Sequence, residues 1–184
     1  MISKENVIEF QKKWGEGIIS MSNTYKSEGD YLAQAKDFIN NLYAYLEEEV
    51  LFKPTLASET QFRLNTVAAL SYFIGENPDF SEDSGFAIKG WNSVRWENSG
   101  IKLEGNIAIC MGNYFFGKEN EEDLKVVISY VSIPITLQWN QLKIIECNSD
   151  LFKSILKDKD GFLTSKGASL VNQILEKQNT YWGK

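Results

Sequence analysis

The chain contains no histidine. That absence removes more chemistry than any single motif adds. Ser-His-Asp and Cys-His catalysis both need an imidazole base, so neither can be assembled from these residues. Protein zinc sites use histidines or several cysteines. With only Cys110 and Cys147, neither a three-histidine nor a four-cysteine site is available. An oxygen-ligand site for magnesium, manganese or calcium is compatible with the composition, but no EF-hand loop occurs. Two cysteines are also too few for a disulfide framework, which points to the cytoplasm or another reducing soluble compartment.

Positive charge is scarce as well. Nineteen Lys and Arg face 25 Asp and Glu, a net charge of −6. Nucleic-acid binding needs a basic footprint, and docking on anionic membranes needs the same, so neither partner is expected. Apolar runs fall short of the ~18 residues of a membrane span. The opening MISKENVIEFQKKW lacks the apolar core of a signal peptide.

What remains is a globular composition, 43% hydrophobic and 24% charged over 184 residues. That length suits one compact domain with a sizeable core. Aromatics reach 13%, and each contributes a large buried area.

The first half has helical spacing. Ser3 can cap a helix whose apolar stripe is Val7, Phe10, Trp14, Ile18 and Met21. Gly15 and Gly17 interrupt it, which suggests close packing there. A second helix is predicted from about Tyr31 to Tyr45, with Leu32, Ala35, Phe38 and Leu42 on one side. Val50, Leu51 and Phe52 form a short strand that stops at Pro54. A third helix is predicted over about 65–74, its apolar positions including Val67, Leu70 and Phe73. GENPDFSEDSG reads as a loop.

From there the pattern is β. VRWEN, GIKLEG, NIAICMGNYFFG, DLKVVISYVSIPITLQW and LKIIEC are turn-spaced strands of an antiparallel meander. Pro134 implies a bulge, an edge or a bend. Residues from Thr164 to about Tyr181 read as a final helix. The fold class is therefore α+β, with helices packed on one face of a curved antiparallel sheet. The expected division is a domain over 1–150 and a helical extension over 151–184.

Three places carry candidate chemistry. Thr55 ends the strand before it, where its hydroxyl can hold a water or a substrate oxygen, or simply cap a turn. Tyr72 lies on the third helix, where its phenol can donate to an anion or be satisfied within the core. In IIECNSD, alternation puts Ile145, Cys147 and Ser149 on one face and Ile144, Glu146 and Asn148 on the other. Cys147 as a nucleophile would need a lowered pKa, and no histidine can supply it. A one-residue slip would make Asn148 and Asp150 the inward pair instead. Cys110, mid-strand, reads as packing.

Several stretches together resemble the iota-class carbonic anhydrases, a family on the cone fold of the nuclear-transport-factor (NTF2-like) and cystatin type. They are WGEGI, LFKPTLASETQFR, ALSYFIGENPDFSEDSGFAIKGW, VRWENSGIKLEGNIAICMGNYFF and the run after KENEED, in order, from residue 1 to about 150. The resemblance implies reversible hydration of CO2 to bicarbonate, either without metal or with a manganese ion. It matches Thr55 to the threonine of a K-P-T motif and Tyr72 to the tyrosine of S-Y-F. The family's last strand usually ends His-His-Ser-Ser, where this chain has Cys147, Asn148, Ser149 and Asp150. The resemblance therefore implies a catalytic and ligand-binding set of Thr55, Tyr72 and Ser149, with Cys147 in place of a histidine and a weak or absent activity. No cofactor is expected beyond the manganese that the resemblance allows. The alternative is a non-catalytic cone that binds a small ligand or serves in assembly. A homodimer is expected to form through the exposed sheet face, with GNYFFG and TLQW supplying the aromatics unless these pack beneath the helices.

Overall fold

The computed structural model describes residues 2–134 and 142–148. They all belong to the first of two compact units, Met1–Ser149. The expected final helix, the 151–184 extension, the TLQW segment, Ser149 and Asp150 lie outside the described residues.

Helix α1 spans Lys4–Lys26 and begins in a capping box. The Ser3 hydroxyl accepts from the Asn6 backbone N–H, and the Asn6 side chain accepts from the Ser3 N–H. Two N–H groups that a helix start leaves unsatisfied are thereby paired. All five residues of the apolar stripe are buried. Helix α2 spans Tyr31–Leu42, so it stops three residues before the expected Tyr45. Leu32 lies on its exposed side, and Ile39 takes a place in the core instead.

The glycines of α1 mark close approaches, as expected. A Cβ on Gly17 would stand 2.5 Å from the Phe38 ring, and one on Gly15 would stand 3.1 Å from Val94. The first contact sets α2 against α1, and the second sets α1 against the sheet.

Strand β1 is Leu51–Lys53 and helix α3 is Thr66–Ile74, capped by Asn65. Gly75 ends α3 at φ 73° and ψ −151°, a conformation essentially confined to glycine. Val67, expected on the apolar side of α3, is 61% exposed. Helix α3 is only nine residues long, and Ala68, Ala69, Tyr72 and Phe73 cover its buried face. The loop after it contains one 3-10 turn, Pro78–Phe80, and a second turn follows at Phe86–Ile88.

Strands β2 (Ser93–Glu104), β3 (Ile107–Gly117), β4 (Leu124–Pro134) and β5 (Leu142–Asn148) form the expected antiparallel meander. VRWEN and GIKLEG are one strand rather than two. The NSG between them is a register shift between Asn98 and Gly100, not a turn. Gln11 of α1 holds Asn98 there through two side-chain hydrogen bonds of 2.7 and 2.8 Å. Strand β1 adds itself parallel to β5, giving the order β1-β5-β4-β3-β2.

Alternation on β3 sorts its two faces. Ala108, Cys110, Tyr114 and Phe116 are buried, while Ile109 and Met111 are exposed. Tyr114 and Phe116 of GNYFFG therefore pack beneath the helices and are not part of an outer aromatic face. Phe115 lies on the other side, with the Arg95 guanidinium 3.9 Å from its ring centre. Trp14 joins helix to sheet, with ring centres 5.6 Å from Trp96, 5.8 Å from Tyr114 and 6.1 Å from Phe116. Such edge contacts contribute ~0.5–1.5 kcal/mol each beyond the area they bury.

Candidate active site

A cavity of about 10 Å³ lies where β1 ends against α3 and β3. The smallest space that holds one water is on the order of 10–15 Å³, so with its walls as placed the cavity has room for about one water. Its apolar wall includes Trp14, Phe52, Phe73 and Phe86, and its polar wall includes Lys53, Thr55, Tyr43, Tyr72 and Tyr114.

Two of the four residues expected from the sequence meet in this cavity. Thr55 follows β1 by two residues and is half-buried. Tyr72, on α3, is 6% exposed and stacks on Phe86, ring centres 5.5 Å apart. Cys147 lies on β5, as the register partner of Phe52 on one side and Tyr130 on the other. Phe52 and Tyr130 are both buried. Ser149 lies outside the described residues.

The alternation expected along IIECNSD is interrupted. Val131 pairs with Glu146, but Ser132 pairs with Ile144, so Ile145 falls in a register shift. Ile144 and Cys147 are therefore the partners of the buried residues Ser132 and Tyr130, in place of the expected set of Ile145 and Cys147. A β-bulge of this kind re-aims the residues that follow it.

Tyr114 was not among the expected site residues. Its hydroxyl lies 3.2 Å from Thr55 Oγ1. Strict alternation in GNYFFG pairs Tyr114 with Phe116 on one face, but nothing local says that this face is the inner one. Tyr43, also missed, accepts a 3.2 Å hydrogen bond from Trp14 Nε1.

The loop that carries Thr55 is held by Arg63, which is fully buried. Its Nη2 lies 2.8 Å from Asp83 Oδ1 and 3.5 Å from Glu82 Oε1. Its Nη1 donates to the Thr60 carbonyl. Its backbone N–H donates to the Phe52 carbonyl at 2.8 Å, and its own carbonyl accepts from the Tyr45 hydroxyl at 2.6 Å. Asp83 also accepts from Ser71 Oγ at 2.6 Å, one residue before Tyr72. The cluster thus ties the loop behind Thr55 to the helix that carries Tyr72. A lone arginine inside LFKPTLASETQFR, with an acidic SEDSG loop downstream, is the signal that could have pointed to it.

Glu82 supports the same loop. Its carboxylate accepts the backbone N–H groups of Ser58, Glu59 and Thr60 and the Ser58 hydroxyl, at 2.7 to 3.0 Å. Those donors, led by the Glu59 and Ser58 N–H groups, lower its pKa to about 2. Cys110 moves the other way. Burial raises its thiol pKa, partly offset by a hydrogen bond with Tyr130, so it is an unreactive core thiol at neutral pH.

Among the described residues, the donor set does not fit a manganese ion. The described residues contain no cluster of three Asp, Glu, Cys or His. The described polar wall of the cavity is hydroxyls and one lysine, which offers a divalent cation no anionic ligand. No described helix is long and apolar enough to cross a membrane.

Comparison with known proteins identifies the family. A family model described as "Metal-independent carbonic anhydrase" matches residues 5–151. The metal-independent carbonic anhydrase of Nostoc sp. (strain PCC 7120 / SAG 25.82 / UTEX 2576) is 35% identical over 152 residues, covering 72% of this chain and 74% of that protein. The crystal structure of a cyanobacterial iota-carbonic anhydrase complexed with bicarbonate is 33% identical. It superposes with a TM-score of 0.74, over 80% of this chain and 90% of that one. The chain belongs to the metal-independent, iota-class carbonic anhydrase family.

Proposed function

We propose that this protein is a divergent member of that family which takes up CO2 and bicarbonate in the Thr55–Tyr72 cavity and hydrates CO2 slowly or not at all. The observation that carries the reading is one small cavity lined by Thr55 and Tyr72 in a chain without histidine.

Hydration joins a water oxygen to the carbon of CO2 and releases one proton. The hydroxyls of Thr55, Tyr72 and Ser149 suit the first task, which is orienting water and the CO2 oxygens. The second task lacks its usual group. A neutral imidazole near pKa ~6.5 takes up a proton readily at pH 7. Cysteine, near ~8.5, and glutamate, near ~4.3, are each mismatched without tuning. Cys147, Glu146 or bulk buffer would take the proton, and a missing general base typically costs ~10²–10⁴ in rate.

The test is stopped-flow CO2 hydration on metal-stripped protein, with and without manganese, beside Ser149→Ala. Catalysis above buffer that falls in the Ser149 variant supports hydration without histidine. A bicarbonate-binding protein with no catalysis supports the impaired form of the reading. Neither binding nor catalysis would leave the cone as a binding or assembly domain for something else.

Assembly as a homodimer is favoured by the outer face of the sheet. Ile109, Met111 and Val127 are 40%, 49% and 58% exposed on adjacent strands. Analytical ultracentrifugation of wild type and Met111→Lys tests this, with a monomeric wild type as the opposing result.

A further inference from the structure

We infer that Tyr114 is a positioning residue of the cavity: its phenol sets the direction of the Thr55 hydroxyl, and so which atom Thr55 offers to a bicarbonate or CO2 oxygen. The inference rests on the reading of the cavity proposed above. A threonine hydroxyl carries one proton and two lone pairs on a free rotor. Left alone, it can face a ligand either as donor or as acceptor. Here the Tyr114 hydroxyl stands 3.2 Å from Thr55 Oγ1.

The phenol cannot swing away. Tyr114 is 6% exposed. Its ring stacks on Trp96 at 5.0 Å and meets Phe116 edge-on at 4.6 Å and Trp14 at 5.8 Å. With the ring fixed, the Thr55 rotor is what adjusts. Either hydroxyl of the pair can donate, but a phenol, reference pKa ~10, is a far stronger acid than an aliphatic hydroxyl, so within this pair Tyr114 is the better donor. Thr55 then turns its own proton toward the cavity. Accepting one bond strengthens the bond it donates. Bicarbonate, an anion, gains most from a donor aimed at it.

The experiment is a ¹³C-bicarbonate NMR titration of wild type, Tyr114→Phe, Thr55→Val, Thr55→Ser and the Tyr114→Phe/Thr55→Val double variant, with melting temperatures for each. Tyr114→Phe should weaken binding by about fivefold, the scale of one lost hydrogen bond between neutral groups, while melting near the wild-type temperature. Thr55→Ser should bind like wild type. The double variant should bind no more weakly than Thr55→Val, because Tyr114 acts through Thr55. Wild-type affinity in Tyr114→Phe, or additive losses in the double variant, would overturn the inference alone. A fall in affinity that tracks a fall in melting temperature would make Tyr114 a packing residue and overturn it too. Absence of bicarbonate binding in wild type would instead overturn the reading of the cavity, and this inference with it.

Discussion

Arg63 and Asp83 form a buried ion pair, Nη2 to Oδ1 at 2.8 Å, with side chains 0% and 2% exposed. Breaking such a pair from one side leaves the other charge without compensation, at a cost of ~3–5 kcal/mol. Arg63→Met should therefore lower the unfolding free energy by about that amount in urea titration. It also removes the donor to Thr60 and the contact with Phe80, so the loop behind Thr55 should become sensitive to protease before the rest of the domain. A loss under ~1 kcal/mol would mean that the pair behaves as a surface bridge and does not hold the loop.

Glu82 gives the fold an acid limit. Its folded pKa of about 2 lies below the ordinary value of 4.5 because backbone and hydroxyl donors favour the carboxylate. A group depressed in the folded state contributes stability that is complete above the unfolded pKa and declines as pH falls through the folded one. The stability due to Glu82 is thus full above about pH 4.5 and is lost progressively toward about pH 2. Melting temperature followed between those limits should fall less steeply in Glu82→Gln than in wild type. Parallel slopes in the two proteins would contradict the assignment.

Much of this was legible in the sequence because it is local. The Ser3 cap and the α1 stripe need only nearest-turn rules, and both occur as expected. What escaped is non-local. Arg63 finds its partners about twenty residues away, and no local rule joins QFR to SEDSG. Strand β1 has three residues and takes its place by pairing parallel with β5, about ninety positions later. The register shift at Ile145 breaks a two-residue period that the sequence alone presents as unbroken. Tyr114 was legible as strand but not as site, since alternation assigns faces without saying which face is inner.

Gly17 separates intrinsic helix preference from packing. In a free helix, Gly→Ala stabilises by ~1 kcal/mol. Here the added methyl would stand 2.5 Å from Phe38, whose ring is already held by Trp14, Tyr43 and Phe73. Overpacking of that kind costs ~1–3 kcal/mol. Gly17→Ala should therefore destabilise the protein in chemical denaturation, against its helix propensity. A stabilised variant would show that α2 moves freely relative to α1.

Cys147→His tests whether the proton acceptor is all that hydration lacks. The position pairs with Phe52, three residues before Thr55, and with the buried Tyr130. An imidazole at that position brings a base near pKa ~6.5 to β5, between β1 and β4. If Thr55, Tyr72 and Ser149 already orient water and CO2, stopped-flow hydration should rise by ~10²-fold or more. The gain should disappear below about pH 6 as the imidazole is protonated, and Thr55→Val in the same background should abolish it. Bicarbonate binding without any gain in rate would mean that the cavity holds its ligand but does not place a water for attack. The shortfall would then lie in the positioning hydroxyls as well as in the missing base.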